Sequence, residues 1–416
     1  MRCEVKKTVL AILAVLILVA PMGLSCGATA RALTIDEQQI VESGNEFGFN
    51  LFREVVGQEG DKNIFISPLS VSMALGMTLN GADGDTYEAM KQTLELAGLT
   101  EEEINKSYQS LIELLRGLDP EVVFQIANSI WYEQDFAVKQ AFLDNCQQYF
   151  DAEVEGLNFS DPAAADTINA WVNENTNGKI EEIVDSPIDP LTVMFLINAI
   201  YFKGTWKYEF DEQDTRNRDF HLLDGSEVQC EMMVQQAKFD YYQNNDFQAI
   251  DLPYGNGKYS MTVLLPLLDN NIDDMIAELN DNNWDEWMGN LTKQEVALYF
   301  PKFTLEYELT MNGVLEALGM EVAFDEDLAD FGRMYHADQS DGNVYIDKVK
   351  QKTFVEVNEE GAEAAAVTSV EMMSRYSTGS EPPLIYMIVD RPFVFAIREN
   401  HSGTLLFIGK IMNPVS

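Results

Sequence analysis

The chain has 416 residues, 46% of them hydrophobic, enough to bury a large core, and it lacks the low-complexity tracts that mark extensive disorder. Its 69 acidic against 27 basic residues leave a formal charge of −42. With no basic stripe to set against it, this charge argues against nucleic acid, heparin and anionic lipid surfaces as partners. The acidic clusters Glu101-Glu102-Glu103 and Asp273-Asp274 lack a ligand loop of the EF-hand kind, so neither metal nor cofactor is expected.

The first residues read as an export signal: Arg2, Lys6 and Lys7 lead into the apolar run 9–20, after which small residues appear. The domain expectation is therefore a signal peptide over 1–30 and one large domain over 31–416, secreted or held at the cell surface. Two processing sites compete. Ala28-Thr29-Ala30 suits a general signal peptidase, and Gly23-Leu24-Ser25-Cys26 is similar to a lipoprotein box that would lipidate Cys26. Cys146 and Cys230 are the thiols left to the soluble domain; they make no zinc spacing or disulfide framework, and a single bridge between them stays open.

Helical patterns come first. Thr34-Ile35-Asp36-Glu37 is a capping box followed by Ile40, Phe47, Leu51 and Val55 near helical spacing. Ser67-Pro68 gives an N-cap and a proline at the first helical position, with Asn80-Gly81 as the stop. Thr100 with Glu103 predicts a third helix. From 121 the period changes. The run 193–202 is apolar almost throughout and predicts a central strand covered on both faces, and further strands are expected at 259–265, 296–300, 348–357, 393–398 and 405–411. Early helices, later strands and no regular βα alternation predict an α+β fold.

One connection is unusual. After a strand, residues 359–371 are mostly small or β-branched, where an exposed loop would carry more Gly, Pro and charge. At period two, Ala362, Ala364, Ala366, Thr368 and Val370 share one face, and Glu363 and Glu371 fall on the other. That is a strand pattern with one buried face, joined to the polar, turn-rich stretch 374–383. Composition alone also allows an Ala-rich helix or a hairpin arm.

Ordered blocks along 35–414 resemble the serpin family: Asn63-Ile64-Phe65-Ile66-Ser67-Pro68-Leu69-Ser70, Asn198-Ala199-Ile200-Tyr201-Phe202-Lys203-Gly204-Thr205-Trp206, Asp251-Leu252-Pro253-Tyr254, Pro301-Lys302-Phe303, and Asp390-Arg391-Pro392-Phe393-Val394-Phe395. The resemblance implies three sheets, about nine helices and an exposed reactive loop that, once cut, inserts as a new strand into the largest sheet; serpin loop insertion is itself a standard example of strand addition and of released strain. It implies a suicide-substrate inhibitor of serine proteases, a monomer and not an enzyme. Glu359, Gly361, Ala362, Glu363, Ala364, Ala365, Ala366 and Val367 match the hinge of inhibitory members, with Ala362 in place of a more usual Thr or Ser.

Counting fourteen residues on from Gly361 gives Arg375-Tyr376 as the reactive bond, and Arg375 suits a trypsin-like pocket. The stretch after Arg375 is longer than in typical members; a shifted register would present Met372, Met373 or Tyr376 and turn preference toward elastase-like or chymotrypsin-like enzymes. Ser67, Ser70, Asn198 and Trp206 match the sheet-opening region, where Gln351 stands in place of a common histidine. On its strand Gln351 shares a mostly apolar face, so it should be buried and bonded to Asn198 or a serine hydroxyl. A non-inhibitory binding or structural role is the alternative. The only histidines are His221, His336 and His401, and no Gly-x-Ser-x-Gly elbow is present, which disfavours a hydrolase.

Overall fold

The helix starts lie where the capping residues predict them. Thr34 caps α1 (Ile35–Glu59): its hydroxyl accepts from the Glu37 amide and the Glu37 carboxylate accepts from the Thr34 amide, pairing donors that a helix start leaves free. The computed structural model describes residues 31–339, 342–362 and 384–416. In it α1 is followed by β1 (Ile64–Ile66), α2 (Pro68–Leu79), α3 (Gly84–Thr93), α4 (Glu101–Leu115), β2 (Val122–Glu133), α5 (Gln140–Phe150), β3 (Ala152–Leu157) and α6 (Ala163–Asn175). Ser67 caps α2 with Pro68 at its first position, and Thr100 with Glu103 closes a second capping box on α4.

Strands dominate thereafter: β4 (Met194–Thr205), β5 (Arg216–His221), β6 (Glu227–Gln243), β7 (Phe247–Tyr254) and β8 (Tyr259–Pro266). Two short helices, α7 (Ile272–Ala277) and α8 (Asp281–Gly289), precede β9 (Thr292–Pro301) and β10 (Phe303–Thr310). After an irregular helical stretch over 312–324 come β11 (Lys350–Val357), β12 (Gly361–Ala362), β13 (Ile385–Ile388), β14 (Phe393–Glu399) and β15 (Leu405–Ile411). All five outlying strands expected from the sequence are present, with β11 starting two residues later than its pattern suggests.

The strands form three sheets, two of which share a strand. One is six-stranded in the order β10-β11-β12-β4-β2-β3. The long β6 pairs with β5 and β9 over its first part and with β7 at its end. The first sheet it enters ends in β13, parallel to β9, and the second runs on through β8, β14 and β15 to β1. The buried α2 packs against both β4 and β15, so the main core lies between the six-stranded sheet and the sheet of β14 and β15. A second, smaller core seats α6 on β2 and β4 through Trp131, Ile168, Val184 and Ile188.

Cys146 and Cys230 are separate buried free thiols, so the bridge left open by the sequence is absent. Burial pushes the Cys230 thiol up to about 11, which makes it a poor nucleophile at neutral pH.

Where α1 meets α8, Asp281 donates its amide to the Glu46 carboxylate. Burial, then the neighbouring Asp285, raises the Asp281 carboxyl to about 6, with Glu42 and Glu46 adding to the push and a hydrogen bond from Asn45 opposing it. The folded chain therefore holds this proton more tightly than the unfolded one, so its contribution to stability is complete below the ordinary value of 3.8 and is lost progressively as pH rises from there through about 6. Asp281→Asn is expected to raise the thermal midpoint by more at pH 7.5 than at pH 5, as measured by calorimetry at both.

Candidate functional site

Two strands of the six-stranded sheet stand apart. β4 is laddered to β2 from Met194 to Gly204, and β11 to β10 along its whole length. Between β4 and β11 the only strand among the described residues is the two-residue β12, whose Gly361 and Ala362 face Thr205 and Gly204 and whose Ala362 also faces Val357. Along 194–203 the second edge of β4 meets no described strand. The sequence predicts a strand covered on both faces; instead most of β4 is half-buried, because its apolar run borders a slot. Ile200 and Phe202 line one side of the resulting cavity, Phe354 and Val355 the other, and Phe65, Ile397 and Phe407 the floor.

Among the described residues, the slot leaves one edge of β4 without a strand partner, and its walls are apolar. A strand with small inward side chains would pair the backbone groups and remove apolar surface from water, at about 25 cal/mol per Å².

The closed end of the slot is tightly built. Gly361 has φ +148°, and a Cβ there would lie 2.1 Å from the Gly204 carbonyl oxygen. A Cβ on Gly204 would in turn lie 2.8 Å from the Tyr254 ring, which stacks on Trp206 at 4.4 Å. The Asn358 side-chain oxygen accepts from the amides of Glu360 and Gly361, and Trp206 donates its indole N–H to the Asn358 carbonyl and its amide to Glu360. Glu359 is 5% exposed and accepts from the Thr215 hydroxyl at 2.7 Å and from Lys302 Nζ at 3.1 Å. Burial alone would raise its pKa; these bonds outweigh burial and hold the carboxyl below its usual range.

Further along the sheet, the polar cluster divides into two halves. Gln351 is buried, as its strand face predicts. Its partner is neither Asn198 nor a hydroxyl: its Nε2 donates to the Ser67 carbonyl at 2.9 Å and its Oε1 accepts from the Ser67 amide at 3.1 Å. The Ser67 amide is free to bond a side chain because Ser67 is the α2 N-cap, and its carbonyl, which already takes the first bond of the helix from the Val71 amide, accepts Gln351 as a second donor. The Ser67 hydroxyl is committed elsewhere, to the Leu406 carbonyl. Asn198 instead donates to Asn128 of β2 at 2.7 Å, while its side-chain oxygen is buried without a partner. Ser70 donates to the Asn198 carbonyl at 3.4 Å. Gln351 thus fastens β11 to α2, and Asn198 fastens β4 to β2.

The structure brings Glu359, Gly361 and Trp206 together at one end and Ser67, Ser70, Asn198 and Gln351 farther along. Of Ala362 only the backbone is described. Glu363, Ala364, Ala365, Ala366 and Val367, the Arg375-Tyr376 bond and Cys26 lie outside the described residues. The sequence reading missed Lys302 and Thr215 as partners of Glu359 and Asn128 as partner of Asn198; a polar Asn128-Ser129 pair inside the otherwise apolar β2 was the available signal for the last.

Gly361→Ala should lower stability by roughly 2–4 kcal/mol, since a strained φ and a backbone overlap add; urea denaturation of the purified chain would measure it. Gln351→Leu leaves the buried Ser67 amide unpaired and takes one of two donors from the Ser67 carbonyl; it is expected to cost about 1–3 kcal/mol in the same assay, more than Ser70→Ala, which removes one long bond.

The serpin (serine protease inhibitor) family profile matches residues 42–414. Human neuroserpin is 33% identical over 398 residues, which is 92% of this chain and 93% of the relative. The thermophilic serpin tengpin in its native state superposes with a TM-score of 0.83 at 32% identity, covering 92% of this chain and 96% of tengpin. Human thyroxine-binding globulin complexed with thyroxine gives a TM-score of 0.81 at 28% identity, covering 92% of this chain and 100% of that protein.

Proposed function

This chain belongs to the serpin family, and we propose that it is an inhibitory member that traps a trypsin-like serine protease as a suicide substrate. The observation that carries the reading is the slot between β4 and β11, bridged at one end, among the described residues, by β12 alone. β12 is the start of the segment whose small residues alternate with Glu363 and Glu371, the parity that a strand entering an apolar slot requires. In this reading the protease serine attacks the Arg375 carbonyl, the Arg375-Tyr376 bond breaks, and the acyl-enzyme is carried along as the loop enters the slot.

Arg375 would meet the acidic base of a trypsin-like pocket through a charge-assisted pair. Export with removal of residues 1–30, or lipidation at Cys26, belongs to the same proposal; no described helix is long and apolar enough to cross a membrane. The second reading, a binding role without inhibition, draws on the likeness to thyroxine-binding globulin complexed with thyroxine.

Mixing the purified chain with trypsin decides between the two. A covalent complex resistant to denaturing electrophoresis is expected, and Arg375→Ala should abolish it. Cleavage at Arg375 with neither complex nor gain in thermal stability would leave the binding role in its place.

The amide of Gln351 carries no proton that titrates near neutrality, unlike a histidine. Insertion is accordingly expected to proceed at a constant rate between pH 6 and 8, followed by tryptophan fluorescence. A midpoint near neutrality would count against Gln351 as the latch, and Gln351→His should create one.

A further inference from the structure

The sheet of β5, β6 and β9 ends in β13, which has no strand on its other edge among the described residues. β13 is also where the chain returns after the Arg375-Tyr376 bond. Ile385 follows Tyr376 by nine positions, a reach of at most about 32 Å. A protein domain of about 200 residues has a radius of gyration of about 16 Å and spans about 40 Å, so an enzyme held at that bond is within reach of this sheet.

Register decides which side chains share a side of the sheet. Arg216 and Arg218 of β5 pair with Met232 and Cys230 of β6. Farther along β6, Val234, Gln236 and Lys238 pair with Tyr299, Ala297 and Glu295 of β9, and Ala297 and Tyr299 pair with Tyr386 and Ile388 of β13. Two contacts confirm the shared side: Arg218 Cζ lies 4.6 Å from the Tyr299 ring centre, and Gln236 donates to Glu295 at 3.1 Å. Arg216, Arg218 and Lys238 are exposed there, beside Tyr386 at 58% and Ile388 at 37% exposure. The carboxylates on these strands' same side are Glu295 and Asp240, and Asp240 is already paired with Lys293. The ion pairs around the sheet, His221–Glu227, Lys293–Asp240 and Lys302–Glu231, leave both arginines out. A chain with 69 acidic against 27 basic residues thus carries a local excess of uncommitted positive charge where its loop returns.

We propose that this side of the sheet is a docking surface, outside the loop, for a protease whose rim beside the active-site cleft is acidic. The proposal rests on the reading above that the loop offers Arg375 to a trypsin-like enzyme. Arg216 and Arg218 would meet carboxylates on the rim through charge-assisted bonds, while Tyr386 and Ile388 supply apolar contact area. Tyr and Arg are the residue types that most often anchor an interface. Rim charges act chiefly on the rate of encounter, and a surface as acidic as this one elsewhere would repel an anionic enzyme. The loop thus selects the bond that is cut, and the arginine-bearing side of the sheet selects among the enzymes able to cut it.

The test measures the rate of covalent-complex formation by the full chain with an anionic and with a cationic trypsin, at about 0.1 and about 1 M salt, where screening ranges are about 10 and about 3 Å. Both enzymes share the acidic specificity pocket, which holds loop preference constant. Arg216→Gln with Arg218→Gln should slow the anionic enzyme about three- to tenfold at the lower salt, have little effect at the higher, and leave the cationic enzyme no slower. Arg216→Lys with Arg218→Lys keeps the charge and should keep most of the rate. Lys62→Gln with Lys106→Gln removes the same charge from positions outside this sheet and should behave as wild type. A glutamine variant as fast as wild type with the anionic enzyme, one that slows both enzymes alike, or an equal loss in the Lys62 and Lys106 control would overturn the docking surface. A wild-type chain that forms no covalent complex with either enzyme would overturn the inhibitory reading, and the docking surface with it.

Discussion

The arrangement depends on two strands that no described ladder joins directly. β4 and β11 each carry a full set of hydrogen bonds on one edge, and among the described residues only Gly361 and Ala362 connect them. The floor of Phe65, Ile397 and Phe407 belongs to the opposite sheet, so the sheets stay packed whether or not the slot fills. Glu359 is fixed by Thr215 and Lys302, which anchors the chain where β12 begins.

The fastenings meet on one helix. Gln351 ties β11 to the start of α2 at Ser67, while Ser70 and Met73 of the same helix hold Asn198 of β4, which also bonds to the neighbouring β2. Separation of β4 from β11 therefore works against contacts to α2. Buried polar groups keep each half rigid, since losing a partner inside the core is costly.

Much of this was legible in the residues. Caps at Thr34, Ser67 and Thr100 declare themselves because a hydroxyl three residues before a Glu or beside a Pro has a local reason to be there. The strand at Leu405–Ile411 is bounded by turn residues and is apolar but for Gly409 and Lys410, so period and composition agree. What could not be read was partnership. Gln351 and Ser67 lie 284 residues apart, and an apolar strand face says only that an amide needs a partner, not which one. Nor does an apolar run distinguish a strand packed on both sides from one that borders a cavity, and that is why β4 was expected to be more buried than it is.

The two glycines at the closed end of the slot are one constraint written twice. The carbonyl of Gly204 occupies the space a side chain on Gly361 would need, and the ring of Tyr254 occupies the space a side chain on Gly204 would need. Substitution at either position meets a neighbour that is itself wedged, by backbone in one case and by the stacked Trp206 in the other. The closed end of the slot is therefore inherited as a block, since neither glycine can be exchanged by a single step without displacing its neighbour.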